Sequence, residues 1–141
     1  MPNSLIIFEY EDEVELFVSL HGIDAIKNMN VHILALQPGV QAYLKRKDIP
    51  YWNTTGFFNS KSHESLILKS AEIIKPFRDI VGIEDDLGVK EGYNNAFIFY
   101  LRKYSILYLL WMIEVIDNAI ERLKPEKLIA IKLEYACDVI N

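Results

Sequence analysis

The sequence contains a single cysteine, Cys137, so no intrachain disulfide and no cysteine-based zinc site can form. No histidine stands at a recognisable spacing from it, and it reads as an incidental thiol near a chain end. That fits a reducing compartment. The N-terminus has no basic stretch ahead of an apolar one, so a secretory leader is not expected. The chain is therefore expected in the cytoplasm. A long uncharged run is also missing. The most apolar stretch, residues 106–113 with Val115 and Ile116, is broken by Glu114 and preceded by Arg102 and Lys103. A membrane span needs about 20 nearly uncharged residues, so a buried helix is expected there. Membrane contact is at most peripheral, through residues 104–116. Positive charge is scarce: 15 Lys and Arg face 20 Asp and Glu, a net charge of -5. An acidic chain repels phosphate backbones, so no nucleic-acid partner is expected. The one basic run, Lys45-Arg46-Lys47, could grip an anion but reads more simply as a solvated helix end.

Catalytic patterns are missing too. There is no Ser-His-Asp set and no nucleophile elbow, and His21, His32 and His63 show no ligand spacing. What is present is a globular composition. The chain has 141 residues, 51% hydrophobic and 25% charged, enough for one domain with its own core.

The pattern along the chain is α/β. Residues 5–8 and 31–36 are short apolar runs of the kind buried on both faces of a sheet. Residues 13–28 have helical spacing, interrupted by Gly22, a poor residue for a helix interior. Pro38 suits the first turn of a second helix, whose inner face is Val40, Tyr43 and Leu44. Residues 49–52 form a short third strand, with Pro50 suggesting the sheet edge. Residues 54–62 read as a loop. Residues 64–81 read as a helix with Leu66, Ile67, Ile73, Ile74, Phe77 and Ile80 inward, kinked or split at Pro76. Residues 83–95 read as a connection. Residues 96–123 read as a long helix with Leu109, Ile113, Ile116, Ile120 and Leu123 as its inward stripe. Pro125 stops it, and residues 128–133 form the fourth strand. This alternation predicts a Rossmann-like three-layer sandwich with a small parallel sheet of order 3-2-1-4. The expected organisation is a single domain over 1–141, the N-terminal half of something larger.

In such sheets ligands sit beyond the C-terminal strand ends. The residues expected there are Glu9, Glu11, Gln37, Trp52, Asn53, Glu134 and Tyr135. A dinucleotide site needs glycines after strand one. This turn reads Glu9-Tyr10-Glu11-Asp12-Glu13, with no glycine and four carboxylates that repel phosphate, so neither a dinucleotide nor a P-loop nucleotide, nor any other cofactor, is expected. The acids suit either a hard cation or a helix start favoured by its dipole. A receiver domain would need an aspartate after strand three, where Asn53 and Thr54 stand. Asn53-Thr54-Thr55-Gly56 faintly resembles a flavodoxin phosphate loop but follows the wrong strand, and reads as a polar turn. Tyr51, Trp52, Phe57 and Phe58 around it suit a pocket mouth, a core or an interdomain face.

Leu34-Ala35-Leu36-Gln37-Pro38, Lys47-Asp48-Ile49-Pro50-Tyr51, and the stretch from Gly92-Tyr93 to Lys124-Pro125-Glu126-Lys127-Leu128-Ile129-Ala130 carry a resemblance. Together they resemble the N-terminal half of GT-B glycosyltransferases, especially those of capsular and surface polysaccharide biosynthesis. The resemblance implies a domain shaping the acceptor side of a cleft, while a second Rossmann-like domain binds the nucleotide-sugar donor. It implies a sugar acceptor near Glu11 or Glu134, with Trp52 stacked on it, and an activity only complete in a larger protein. The family's glycine-rich turn after strand one is absent here. The rival reading is a non-enzymatic interaction domain of a larger assembly or homo-oligomer, which expects an exposed apolar patch.

Overall fold

A computed structural model describes residues 3–85 and 99–131. Four parallel strands form one sheet of order β3-β2-β1-β4. They are β1 (Ser4–Phe8), β2 (Val31–Ala35), β3 (Trp52–Asn53) and β4 (Lys127–Ala130). The helices are α1 (Glu11–His21), α2 (Ile23–Asn28), α3 (Pro38–Arg46), α4 (Ser60–Asp85) and α5 (Leu107–Leu123). A 3-10 turn covers Thr54–Gly56, and six residues of π-helix, Leu101–Ile106, lead into α5. This is the expected Rossmann-like α/β arrangement. By contact density the chain forms two compact units, one of Met1–Phe57 with Asn118–Asn141 and one of Phe58–Asp117.

The first unit holds the sheet. Strand residues alternate faces. Ile6 and Phe8 of β1 and Ile33 and Ala35 of β2 form one inner face, packed with Val14, Phe17, Ile26, Val40, Tyr43, Leu44 and Ile49 from the helical side. The Phe8 and Phe17 rings meet edge-on at 5.5 Å. On the opposite face Leu5 and Leu34 are also fully buried. Arg122, at the end of α5, lies over Trp52 of β3 on that side. Helical structure therefore lies against both faces of the sheet.

Several boundaries differ from the sequence pattern. The helix expected over 13–28 is two helices, because Gly22 adopts φ +78° and ψ 148°, a conformation that breaks the ladder. The third strand is Trp52–Asn53, while Ile49 is a buried core residue before it. Residues 60–62, expected in a loop, already belong to α4. That helix runs through Pro76 without splitting. Among its residues up to Phe77, Leu66, Ser70 and Ile74 are buried, whereas Ile67, Ile73 and Phe77 are exposed. Ile80, most of the connection at 83–95 and the start of the helix at 96 lie outside the residues whose packing is described.

The inward stripe of α5 also differs. Val115 and Ala119 are fully buried, while Leu109 and Ile113 are 51% and 53% exposed. The helix is apolar around most of its circumference, so periodicity alone could not select the packed face. Strand β4 starts one residue earlier than expected, at Lys127. Glu134, Tyr135 and Cys137 lie outside the described residues.

Candidate functional site

The C-terminal ends of β1, β2 and β3 bring Glu9, Glu11, Gln37 and Asn53 to one end of the sheet. At β1 the chain turns into α1 through Glu9 and the N-cap residue Tyr10, whose backbone amides lie just ahead of the helix. The Glu13 carboxylate fills this position. Its Oε2 accepts from the Glu9 amide at 2.6 Å and from the Tyr10 amide at 3.1 Å. In a nucleotide-binding Rossmann domain a phosphate sits at this turn and the helix start. Here an anionic side chain of the same helix takes the two amides of the turn and places its charge there.

The other acids have partners as well. Glu11 Oε1 accepts from Arg46 Nη2 at 2.9 Å, across from the end of α3. The Tyr10 hydroxyl is hydrogen-bonded to Glu9. That bond, reinforced by the charges of Glu9 and Glu13, raises the phenol above the ordinary tyrosine range. The cluster thus reads as an acid-rich helix start. Among the described residues no group of three or more His, Cys, Asp or Glu side chains is arranged to hold a metal ion.

At β2 the chain passes Gln37 into α3, with Pro38 at the first helical position. Gln41, one turn further, is a residue the sequence pattern did not single out. Its Nε2 donates to the Ala35 carbonyl at 3.1 Å, and its Oε1 accepts from Asn53 Nδ2 at 3.5 Å. Gln41 therefore ties the ends of β2 and β3 together. The signal was available: Gln37 and Gln41 are four apart, on one side of a helix start. Asn53 also caps the following turn through Oδ1, which accepts from the Thr55 amide at 3.0 Å. This is a polar turn rather than a phosphate loop.

Trp52 is adjacent to this edge but its ring has other neighbours. The indole Nε1 donates to His32 Nδ1 at 3.2 Å. Arg122 lies 5.6 Å from the centroids of both Trp52 and Phe57, and its Nη1 donates to the Gly56 carbonyl at 3.1 Å. A cavity of about 270 Å³ opens beside this cluster, lined by His32, Pro50, Tyr51 and Trp52 among others. Here β3 pairs with β2 only at Leu34 and Ala35, so among the described residues the first half of β2 has no strand neighbour on that side. It lies toward the N-terminal half of β2, away from Glu9 and Gln37. The basic run is used locally: Arg46 holds Glu11, and Arg46 and Lys47 both lie over the Tyr43 ring.

Among the described residues no helix is long and apolar enough to cross a membrane. Comparison with protein-family models, with curated proteins and with solved structures gives no match for this chain.

Proposed function

We propose that this chain is the acceptor-side domain of a glycosyltransferase-like protein of surface polysaccharide biosynthesis, incomplete as a catalyst without a second Rossmann-like domain. The observation that carries the proposal is the occupant of the amides after β1. Glu13 fills them, so this strand edge repels a donor's phosphates and is left with carboxylate and amide side chains. Such groups suit the hydroxyls of a neutral sugar, which both donate and accept. Glu9, Gln37, Gln41 and Asn53 are the groups placed to do so. Glu11, or Glu134 beyond the described residues, is the carboxylate proposed nearest the acceptor hydroxyl. It would take that hydroxyl's proton as the oxygen attacks the donor sugar and the nucleotide leaves.

Saturation-transfer NMR on the full chain with short neutral oligosaccharides and, separately, uridine diphosphate tests this. Sugar contact that weakens in Gln41→Ala supports the reading. Binding of the nucleotide at the β1 turn, or no sugar contact at all, would overturn it.

A second reading is favoured by one specific observation, the exposed Leu109 and Ile113 one turn apart on α5. On that reading the chain is a non-enzymatic interaction domain that pairs with a second copy through this stripe. Light scattering then gives a dimer that Leu109→Lys with Ile113→Lys converts to a monomer. A wild-type monomer at high concentration refutes it.

A further inference from the structure

The second unit, Phe58–Asp117, contains a cavity that the strand-edge reading does not use. Its volume is about 220 Å³. That is below the roughly 300 Å³ at which pockets for drug-sized ligands begin, so its size suits a single ring. Three of its walls are aromatic: Phe58, Tyr108 and Trp111. Leu66, nearly fully buried, contributes an aliphatic surface. The polar lining includes His63, whose ring stands edge-on to Phe58 at 6.3 Å, and Lys103. The Lys103 ammonium lies 5.4 Å and 5.2 Å from the Phe99 and Tyr104 ring centroids. Among the described residues no carboxylate pairs with it.

The walls are held in place by a separate polar contact. Ser70 of α4 is fully buried, and its Oγ donates to the Ile67 carbonyl at 2.7 Å. It accepts from Arg102 Nε at 3.0 Å, and Arg102 Nη2 donates to the same carbonyl at 3.3 Å. Arg102 and Lys103 are consecutive residues of the π-helical segment. The extra residue per turn there turns successive side chains through a smaller angle than an α-helix would. Arg102 can thus anchor α4 while Lys103 reaches the cavity. Interruptions of this kind are frequent at functional sites.

We propose that this cavity binds a small ring compound with an apolar face and one carboxylate, the face stacked on Trp111 or Tyr108 and the carboxylate against Lys103. Aromatic walls select a flat apolar face, and an ammonium with no carboxylate partner among the described residues selects one negative charge. Aryl carboxylates and uronic acids both have this chemistry. The proposal does not depend on sugar binding at the strand edge, which lies in the other unit.

The chain has two tryptophans, so its indole N–H resonances report the two units separately. Titration of the full chain with benzoate, glucuronate and benzamide is followed by nitrogen-edited NMR. The expected result is a saturable shift of the Trp111 resonance with benzoate, with glucuronate or with both, which also identifies the source of the carboxylate. The Trp52 resonance stays fixed, and benzamide binds about tenfold more weakly than benzoate, or less tightly still. Lys103→Gln lowers the affinity for the bound acid by a similar factor. Absence of a saturable Trp111 shift with either acid, or equal affinity for benzoate and benzamide, overturns the proposal.

Discussion

Replacing Glu13 by alanine tests the local physics on which the strand-edge reading depends. The side chain accepts two backbone hydrogen bonds with one carboxylate oxygen, at 2.6 and 3.1 Å, at the start of α1. A helix-capping interaction of this kind is worth about 1 kcal/mol, and charge assistance raises it. The carboxylate also sits favourably against the helix dipole. Losing both bonds should cost about 2 kcal/mol, since water replaces part of what is removed at this half-buried turn. For a chain of this length that corresponds to a fall in Tm of roughly 6–8 °C. Glu13→Gln keeps one acceptor and should lose about half as much. Urea unfolding followed by circular dichroism measures the loss. Amide exchange at Glu9 and Tyr10 locates it, because those two protons lose their protection first. An alanine variant within about 0.3 kcal/mol of wild type, with both amides still protected, would refute the assignment of Glu13 as the occupant of this turn.

Other perturbations have equally definite outcomes. Gly22→Ala places a Cβ where no atom lies within 4 Å, but at φ +78°; the cost is backbone strain of about 1–3 kcal/mol, read by thermal unfolding. Ser70→Ala removes a buried hydroxyl from the Arg102 contact and should cost about 1–2 kcal/mol; an unchanged unfolding midpoint would show that this contact does not hold the second unit's helices. Glu9→Gln removes both the charge and the charged acceptor that raise the Tyr10 phenol, so its titration moves down toward the ordinary tyrosine value. Because the native value is raised, the associated stabilisation is present below about pH 10 and is lost as the pH climbs through the native value. Tyr10 is 53% exposed, so the effect is read from tyrosinate absorbance rather than from stability. No change in that titration would remove the Glu9–Tyr10 bond from the account.

The parallel order was legible because short apolar runs alternate with helical patterns, so that at least one helix separates each pair of successive strands. Burial on both faces of β1 and β2 leaves Leu5, Ile6, Ile33 and Leu34 little freedom of register. Helix faces were legible where polar and apolar residues segregate, as at Val40, Tyr43 and Leu44 of α3. They were not legible in α5, where Leu109 and Val115 are equally apolar and tertiary packing chooses between them. Pro76 misled for a different reason. Proline removes one hydrogen bond and crowds one carbonyl, a cost of about 3 kcal/mol that a 26-residue helix absorbs. At the strand edge the residue types were readable, but their pairings were not. That Glu13 turns back onto its own helix start, and that Gln41 bridges two strands, are matters of side-chain reach over a few ångströms. The cavity at Trp111 was invisible for the same reason, since α4 and the segment leading into α5 are separated in sequence by a stretch with no informative pattern.

The most direct measurement is a chemical-shift titration of the isotope-labelled chain with a neutral oligosaccharide and with uridine diphosphate. Saturable changes are expected at Gln37, Gln41 and Asn53 with the sugar and none at the Glu9 and Tyr10 amides with the nucleotide. A nucleotide that binds at Glu9 and Tyr10 by displacing the Glu13 carboxylate would contradict this expectation.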